Sequence, residues 1–327
     1  MTDNQYYYAV ARIRSRELSL LNQSFIDQLL GAKSIDEAMR LLQDKGWHMP
    51  DEYVTESDRV EKMLSAEKQK TWDLIGELVD DMSVFNVLLI ENDYHNLKAA
   101  VKEALTSNSH PDIFVNGGTV EPRIMEEAVK TRDFSPLPDE MEPVAEKALE
   151  TLLHTHDGQL TDVIIDKAAL IAIGEAAKKS GSQVLELYAG LKVASADIKI
   201  AIRAVKTGKD KNFIKEALAP CDTLSTEKLA EAASEGMDAI YDYLALTPYS
   251  DAIPELKKSP SAFERWCDNL IIRNIRSEIT HPYTIGPLAA YIIARENEIS
   301  TVRIVLSGLI NDLPEESVRE RAREMYV

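Results

Sequence analysis

Cysteine is almost absent: two residues in 327, Cys221 and Cys267, at a spacing that matches no metal site and implies no disulfide framework. Glycine and proline number 13 each, below average usage, so the chain has few turn-forming positions. Long apolar runs are missing too. The longest, over 83–90 and 285–294, have the length of buried core segments, well short of the 18 or so residues that cross a bilayer. No charged-then-apolar leader opens the sequence, and the chain is expected in the cytoplasm or on the cytoplasmic face of a membrane, without spanning it. Positive charge is scarce as well. Thirty-seven Lys and Arg face 55 Asp and Glu, a formal charge of −18, so phosphate-rich partners such as nucleic acid or anionic lipid would meet a repulsive field. An acidic body favours basic protein partners, although solubility alone explains the same balance.

Motifs for nucleotide and acyl chemistry are also missing. There is no GxGxxG, GxxxxGK[ST], HExxH or GxSxG, so no cradle for a phosphate and no activated serine is in view. No cofactor and no metal are therefore expected. His154-Thr-His156-Asp157 is the one histidine cluster; at spacing two and without a third ligand it reads as a solvated loop beside Gly158. A hydrolase using these three side chains is the weakest of the functional alternatives. Glu296 and Glu298 are two apart, about 200° around a helix, and cannot share an acid/base site. Glu298 is expected to pair with or cap against Arg295 or Arg303. No catalytic residue is expected.

What is present is a recurrence. Asp93 (DYHNLKAAVK), Asp197 (DIKIAIRAVK) and Glu298 (EISTVRIVLS) lie 104 and 101 residues apart, each opening a similar window. Apolar side chains follow at offsets one, four and eight, which lie along one helix face: Tyr94, Leu97 and Val101; Ile198, Ala201 and Val205; Ile299, Val302 and Leu306. A base stands at offset five in two windows (Lys98, Arg303) and at offset nine in two (Lys102, Lys206). A shorter echo links residues 34–42, followed by Trp47, with residues 236–244, followed by Tyr249. A helical unit used three times around an axis suits a protein that sits on something.

Low Gly and Pro with Leu, Ala, Glu and Lys throughout gives an all-α expectation. The pattern predicts a helix over 8–30 stopped at Gly31, then one opened by the capping box Ser34-Ile-Asp-Glu37. Long helices follow over 56–105, with a bend near 80–83. Residues 106–122 read as a linker, and 123–132 and 140–154 as short helices. The stretch 160–207 is long helix interrupted at Gly181, a second linker lies near 219–223, and helix 225–246 follows. Ser261-Ala-Phe-Glu264 is a second capping box, Pro282 and Pro287 break the chain before a helix over 288–309, and Pro314 opens the last helix. The linkers divide the chain into helical units 1–115, 116–219 and 220–327.

Arg12, Arg14 and Arg16 form a cationic stripe on the first helix, facing a partner or solvated. In so acidic a chain, a base on a partner-facing helix is a candidate for a desolvated ion pair. Arg12, Arg14, Lys98 and Arg303 are the candidate partner-contact residues, with no assignment of which face each serves.

These residues carry a resemblance. The opening YYYAVARIRSRELSLL, the segment LLGAKSIDEAMRLLQDKGW, the repeated acid-led helices and the close ENEISTVRIVLSGL…ERAREMYV resemble the C subunit of V-type/A-type ATP synthases. The d subunit of eukaryotic vacuolar ATPases belongs to the same family, and the resemblance covers essentially the whole chain. It implies an all-helical funnel of three subdomains related by a pseudo-threefold axis. It implies a non-catalytic rotor subunit that receives the central axle subunits, sits on the membrane rotor ring and transmits torque. Departures are Ser307 in place of a base at offset nine, Ile200 and Ile202 where the first copy has Asn96 and Lys98, and Gly308-Leu309 where the family usually has Gly-Lys. The alternative is a free-standing helical protein-interaction scaffold.

Overall fold

A computed structural model describes residues 6–105, 113–281 and 283–327. Among them every regular element is a helix and there is no strand, as the composition predicts. Sixteen α-helices occur among the described residues. They are α1 (Tyr7–Glu17), α2 (Gln23–Leu30), α3 (Ile35–Asp44), α4 (Glu56–Leu78), α5 (Ile90–Glu103), α6 (Pro122–Thr131), α7 (Glu142–Thr155) and α8 (Gly158–Ser180). They continue with α9 (Gln183–Thr207), α10 (Lys211–Ala217), α11 (Thr226–Glu235), α12 (Met237–Leu244), α13 (Ile253–Lys258), α14 (Pro260–Ile275), α15 (Gly286–Ile310) and α16 (Glu315–Arg319). Short polar side chains start many of them. Asn22, Ser34, Thr55, Asp157, Ser182, Asp210, Ser225 and Ser259 each accept a first-turn N–H, a cap worth about 1 kcal/mol apiece.

Several expected helices are divided, for identifiable reasons. The helix expected over 8–30 stops at Glu17 and restarts at Gln23, because the Leu21 N–H is taken by the Glu298 carboxylate and Asn22 caps a new helix. The helix expected over 225–246 breaks at Gly236, whose φ of +130° lies outside the range of L side chains. The second capping residue is Ser259, not Ser261, so Pro260 takes the first helical position. The bend near 80–83 is a helix end at Leu78 followed by a 3-10 turn over Met82–Leu88. The break expected at Pro282 lies outside the described residues, as does 106–112 of the expected linker.

The chain forms two compact units. One joins the two ends of the sequence, Met1–Met82 with Ala252–Val327. Its core is built by α15 against α2, α3 and α4, with Phe25, Leu29, Leu42, Met63 and Leu64 meeting Ile299, Val302, Val305 and Leu306. α15 is mostly apolar and its neighbours bury it on most sides. The other unit, Ser83–Asp251, is continuous and contains both boundaries expected at 115 and 219. There α5 packs on α6, α7 and α8 around Tyr94, Leu97, Val101, Met125 and Leu149, and α9 packs on α8, α10, α11 and α12.

Candidate functional site

The four candidate contact bases occupy different settings. Arg12 is exposed on α1, whose buried side carries Ala9, Val10 and Ile13. Arg14 is tied inward: Nη1 donates to both carboxylate oxygens of Glu17 at 2.7 Å, and Nη2 donates to the Glu278 carbonyl at 2.6 Å. Lys98 pairs with Asp166, and one turn on Lys102 pairs with Asp162 at 2.7 Å, a two-rung ladder between α5 and α8. Arg303 forms a two-point pair with Glu61 of α4, at 2.9 and 2.8 Å. Offset five after the acid is thus a cross-helix staple wherever it carries a base.

The acids themselves are buried and gripping backbone. On α5, Asp93 accepts the N–H groups of Thr119 and Val120 at 2.8 and 3.0 Å and the Thr119 hydroxyl at 2.7 Å. On α9, Asp197 accepts the Ala219 N–H at 3.0 Å. On α15, Glu298 accepts the Leu21 N–H at 3.0 Å. Each held segment leads into a pair of short helices: α6–α7, α11–α12 and α2–α3. A carboxylate on a long helix therefore satisfies, from inside, the backbone of the chain entering the hairpin that packs on it. Burial pushes Asp93, Asp197 and Glu298 above the usual carboxylate range, Asp197 to about 7.

The stretch read as a linker is part of this construction. Asn92 donates to the Gly117 carbonyl, Asn96 exchanges two hydrogen bonds with Val115, and His95 reaches the Ile113 carbonyl, so 113–120 is strapped along α5. Gly118 lies so close that a Cβ there would sit 2.1 Å from Asp93 Oδ1.

Glu298 belongs to a larger buried cluster. Arg295 Nη1 donates to Glu298 at 2.7 Å and Nη2 to Glu67 of α4 at 2.6 Å, its guanidinium lies 5.4 Å from the Trp47 ring centre, and Glu67 accepts the His48 N–H. The expectation for Glu298 resolves in favour of Arg295. Burial draws the Arg295 guanidinium down, but the attraction and hydrogen bond of Glu298, with the fields of Tyr291 and Glu67, together outweigh it and the side chain stays cationic. Glu67 was missed by sequence reasoning. Its signal is a lone acid in the buried stripe Val60, Met63, Leu64, Glu67, Thr71 and Ile75. Trp47 and Tyr249, paired in the short sequence echo, are both buried; the Tyr249 hydroxyl lies 2.6 Å from that of Thr223.

The histidine cluster has a structural use. His156 ends α7 in the left-handed conformation, and Asp157 caps α8 through the N–H groups of Gln159 and Leu160. Among the described residues no three His, Cys, Asp or Glu side chains are placed to hold a metal.

The model of the ATP synthase (C/AC39) subunit family matches residues 9–321. The chain belongs to that family. It is 21% identical to the C subunit of the V-type sodium ATPase of Enterococcus hirae, over 98% of this chain and 99% of the relative. It is 26% identical to the C subunit of the A-type ATP synthase of a Desulfurococcus species, over 98% of this chain and 91% of that one. With the C subunit of the V-type ATP synthase of Thermus thermophilus it shares 24% identity over 97% and 98% of the two chains. The family is that of a subunit of a rotary ATPase, and its partners lie within that complex. No described helix is long and apolar enough to cross a membrane.

Proposed function

We propose that this chain is the non-catalytic central-stalk subunit of a V-type/A-type ATPase, joining the axle subunits to the membrane rotor ring at the cytoplasmic face. In this role it transmits torque for ATP-coupled proton or sodium transport. The observation that carries the reading is the end-to-end relation to C subunits of V-type and A-type ATPases. The recurrent acid–backbone joints support it, since each fixes a two-helix hairpin on a long helix and stiffens the chain against a turning load. The recurrence of the joint on α5, α9 and α15 supports three repeated helical units, 1–115, 116–219 and 220–327, around a pseudo-threefold funnel, with joints that tie one unit to another: Asp93 holds Thr119, and Glu298 holds Leu21.

The candidate bases have graded parts in this reading. Arg12 is exposed and has no acidic partner among the described residues, so it is the base best placed to meet another subunit. Lys98 and Arg303 already hold Asp166 and Glu61, and would contact a partner only by sharing or exchanging those acids. Arg14, held by Glu17 and the Glu278 carbonyl, acts by positioning α1. Detergent extraction and purification through a tag on this chain tests the reading. Axle and ring subunits are expected to copurify in fixed ratio; their absence from an otherwise intact preparation of the ATPase would overturn it.

A further inference from the structure

The three buried acids are not equally satisfied. Asp93 receives three hydrogen bonds, and Glu298 receives the Leu21 N–H together with the Arg295 guanidinium. Asp197 is fully buried at 0% exposure and receives one, from Ala219 to Oδ1; its Oδ2 has no hydrogen-bond partner. The contrast continues along the helix. Where Lys98 staples α5 and Arg303 staples α15, the matching position of α9 is Ile202.

Little charge surrounds this carboxyl. On α8, Lys167 is the cation whose field reaches it, while Asp162 and Asp166 are engaged by Lys102 and Lys98. On α10 and α11, Lys211 and Lys215 pair with Glu231 and Glu227. The remaining charged groups of the packed elements are exposed: Glu175, Lys178 and Lys179 of α8, Glu216, Lys228, Glu235, and Asp238 and Asp242 of α12.

We propose that Asp197 is a protonation-dependent tether: with its proton it stays buried on α9 and keeps the Ala219 segment and the α11–α12 pair seated, and loss of the proton favours an open, hydrated joint. An ionised carboxylate needs several donors to replace its water, and here it finds one N–H. Burial accordingly pushes the group up to about 7, against the opposing pull of the Ala219 N–H and of Lys167. The sign follows. Once exposed, the group ionises from its ordinary value of 3.8, so opening becomes easier as pH rises from there towards 7 and levels off once the buried form is ionised too. The joint sits in the fold itself and does not depend on the rotor reading.

The test is made on the full-length chain. NMR of the wild type with 13C-labelled Asp carboxyls is expected to show one group titrating near pH 7. Hydrogen exchange of the Ala219 amide, corrected for intrinsic rate, is expected to rise about tenfold per pH unit between about pH 5 and pH 7 and to flatten above about pH 8. In Asp197→Asn the exchange should lose this pH dependence. A carboxyl titrating wholly below about pH 5, or the same pH dependence in wild type and Asp197→Asn, would overturn the proposal. If the variant does not fold, the wild-type titration and exchange decide alone.

Discussion

At the scale of single residues, burial decides which charges matter. Arg295 is 6% exposed and neutralises two buried acids, whereas Arg303 pairs with Glu61 across solvent, both side chains about half exposed. Removing the shared cation strands two carboxylates in the interior, a loss of about 3–5 kcal/mol; removing one side of a solvated pair costs about 0–1. Arg295→Ala is therefore expected to move the urea midpoint far below wild type, and Arg303→Ala to leave it nearly unchanged. Equal shifts for the two would contradict this ranking. The sequence presents both as bases near Glu298. Only the fold shows that the first lies against Trp47 and Glu67 and that the second reaches outward.

At the scale of elements, the glycine-rich stretch before α6 shows how a sequence signal can be seen and misread. Gly117-Gly118 marks a turn-prone segment, and a linker is the ordinary reading. The segment is instead bound along α5 by Asn92, Asp93, His95 and Asn96, and Gly118 is small because Asp93 presses against it. Gly118→Ala should break the three bonds to Asp93 and cost about 3 kcal/mol. Gly174→Ala, inside α8 with open space around it, should instead stabilise by up to about 1 kcal/mol. Thermal melts of the two variants shifting in the same direction would refute the contact argument.

Long helices such as α8 and α9 were legible, because their periodicity is local and Gly181 closes the first of them in the left-handed conformation. The break between α1 and α2 was not. It is made by a carboxylate 277 residues away, and no window of sequence contains both partners. The acids at Asp93, Asp197 and Glu298 were recognisable as a recurrence, but their shared targets are backbone N–H groups, of Thr119, Ala219 and Leu21, which no residue type marks. Asp166 and Glu61, which receive Lys98 and Arg303, are ordinary helix-surface acids in the sequence.

At the scale of the whole molecule, the two units differ in how the chain supplies them. Ser83–Asp251 is one continuous stretch, whereas α2, α3 and α4 complete their core only when α15 arrives from the far end of the sequence. A fragment of residues 83–251 is expected to fold alone, with helical circular dichroism and a cooperative melt. Residues 1–82 alone should lack one, because Phe25, Leu42 and Met63 lose the Ile299, Val302 and Leu306 face that buries them. A cooperative transition for 1–82 would contradict the closed-core account.

The proposed role is mechanical, a link between the catalytic head's rotor and the ring. The most direct measurement compares membrane vesicles carrying the ATPase with and without this chain, following ATP hydrolysis and ATP-driven ion uptake together. The account predicts that hydrolysis by the head persists without the chain while ion uptake collapses, and that adding the chain back restores uptake. Uptake that stays coupled to hydrolysis in its absence would contradict it.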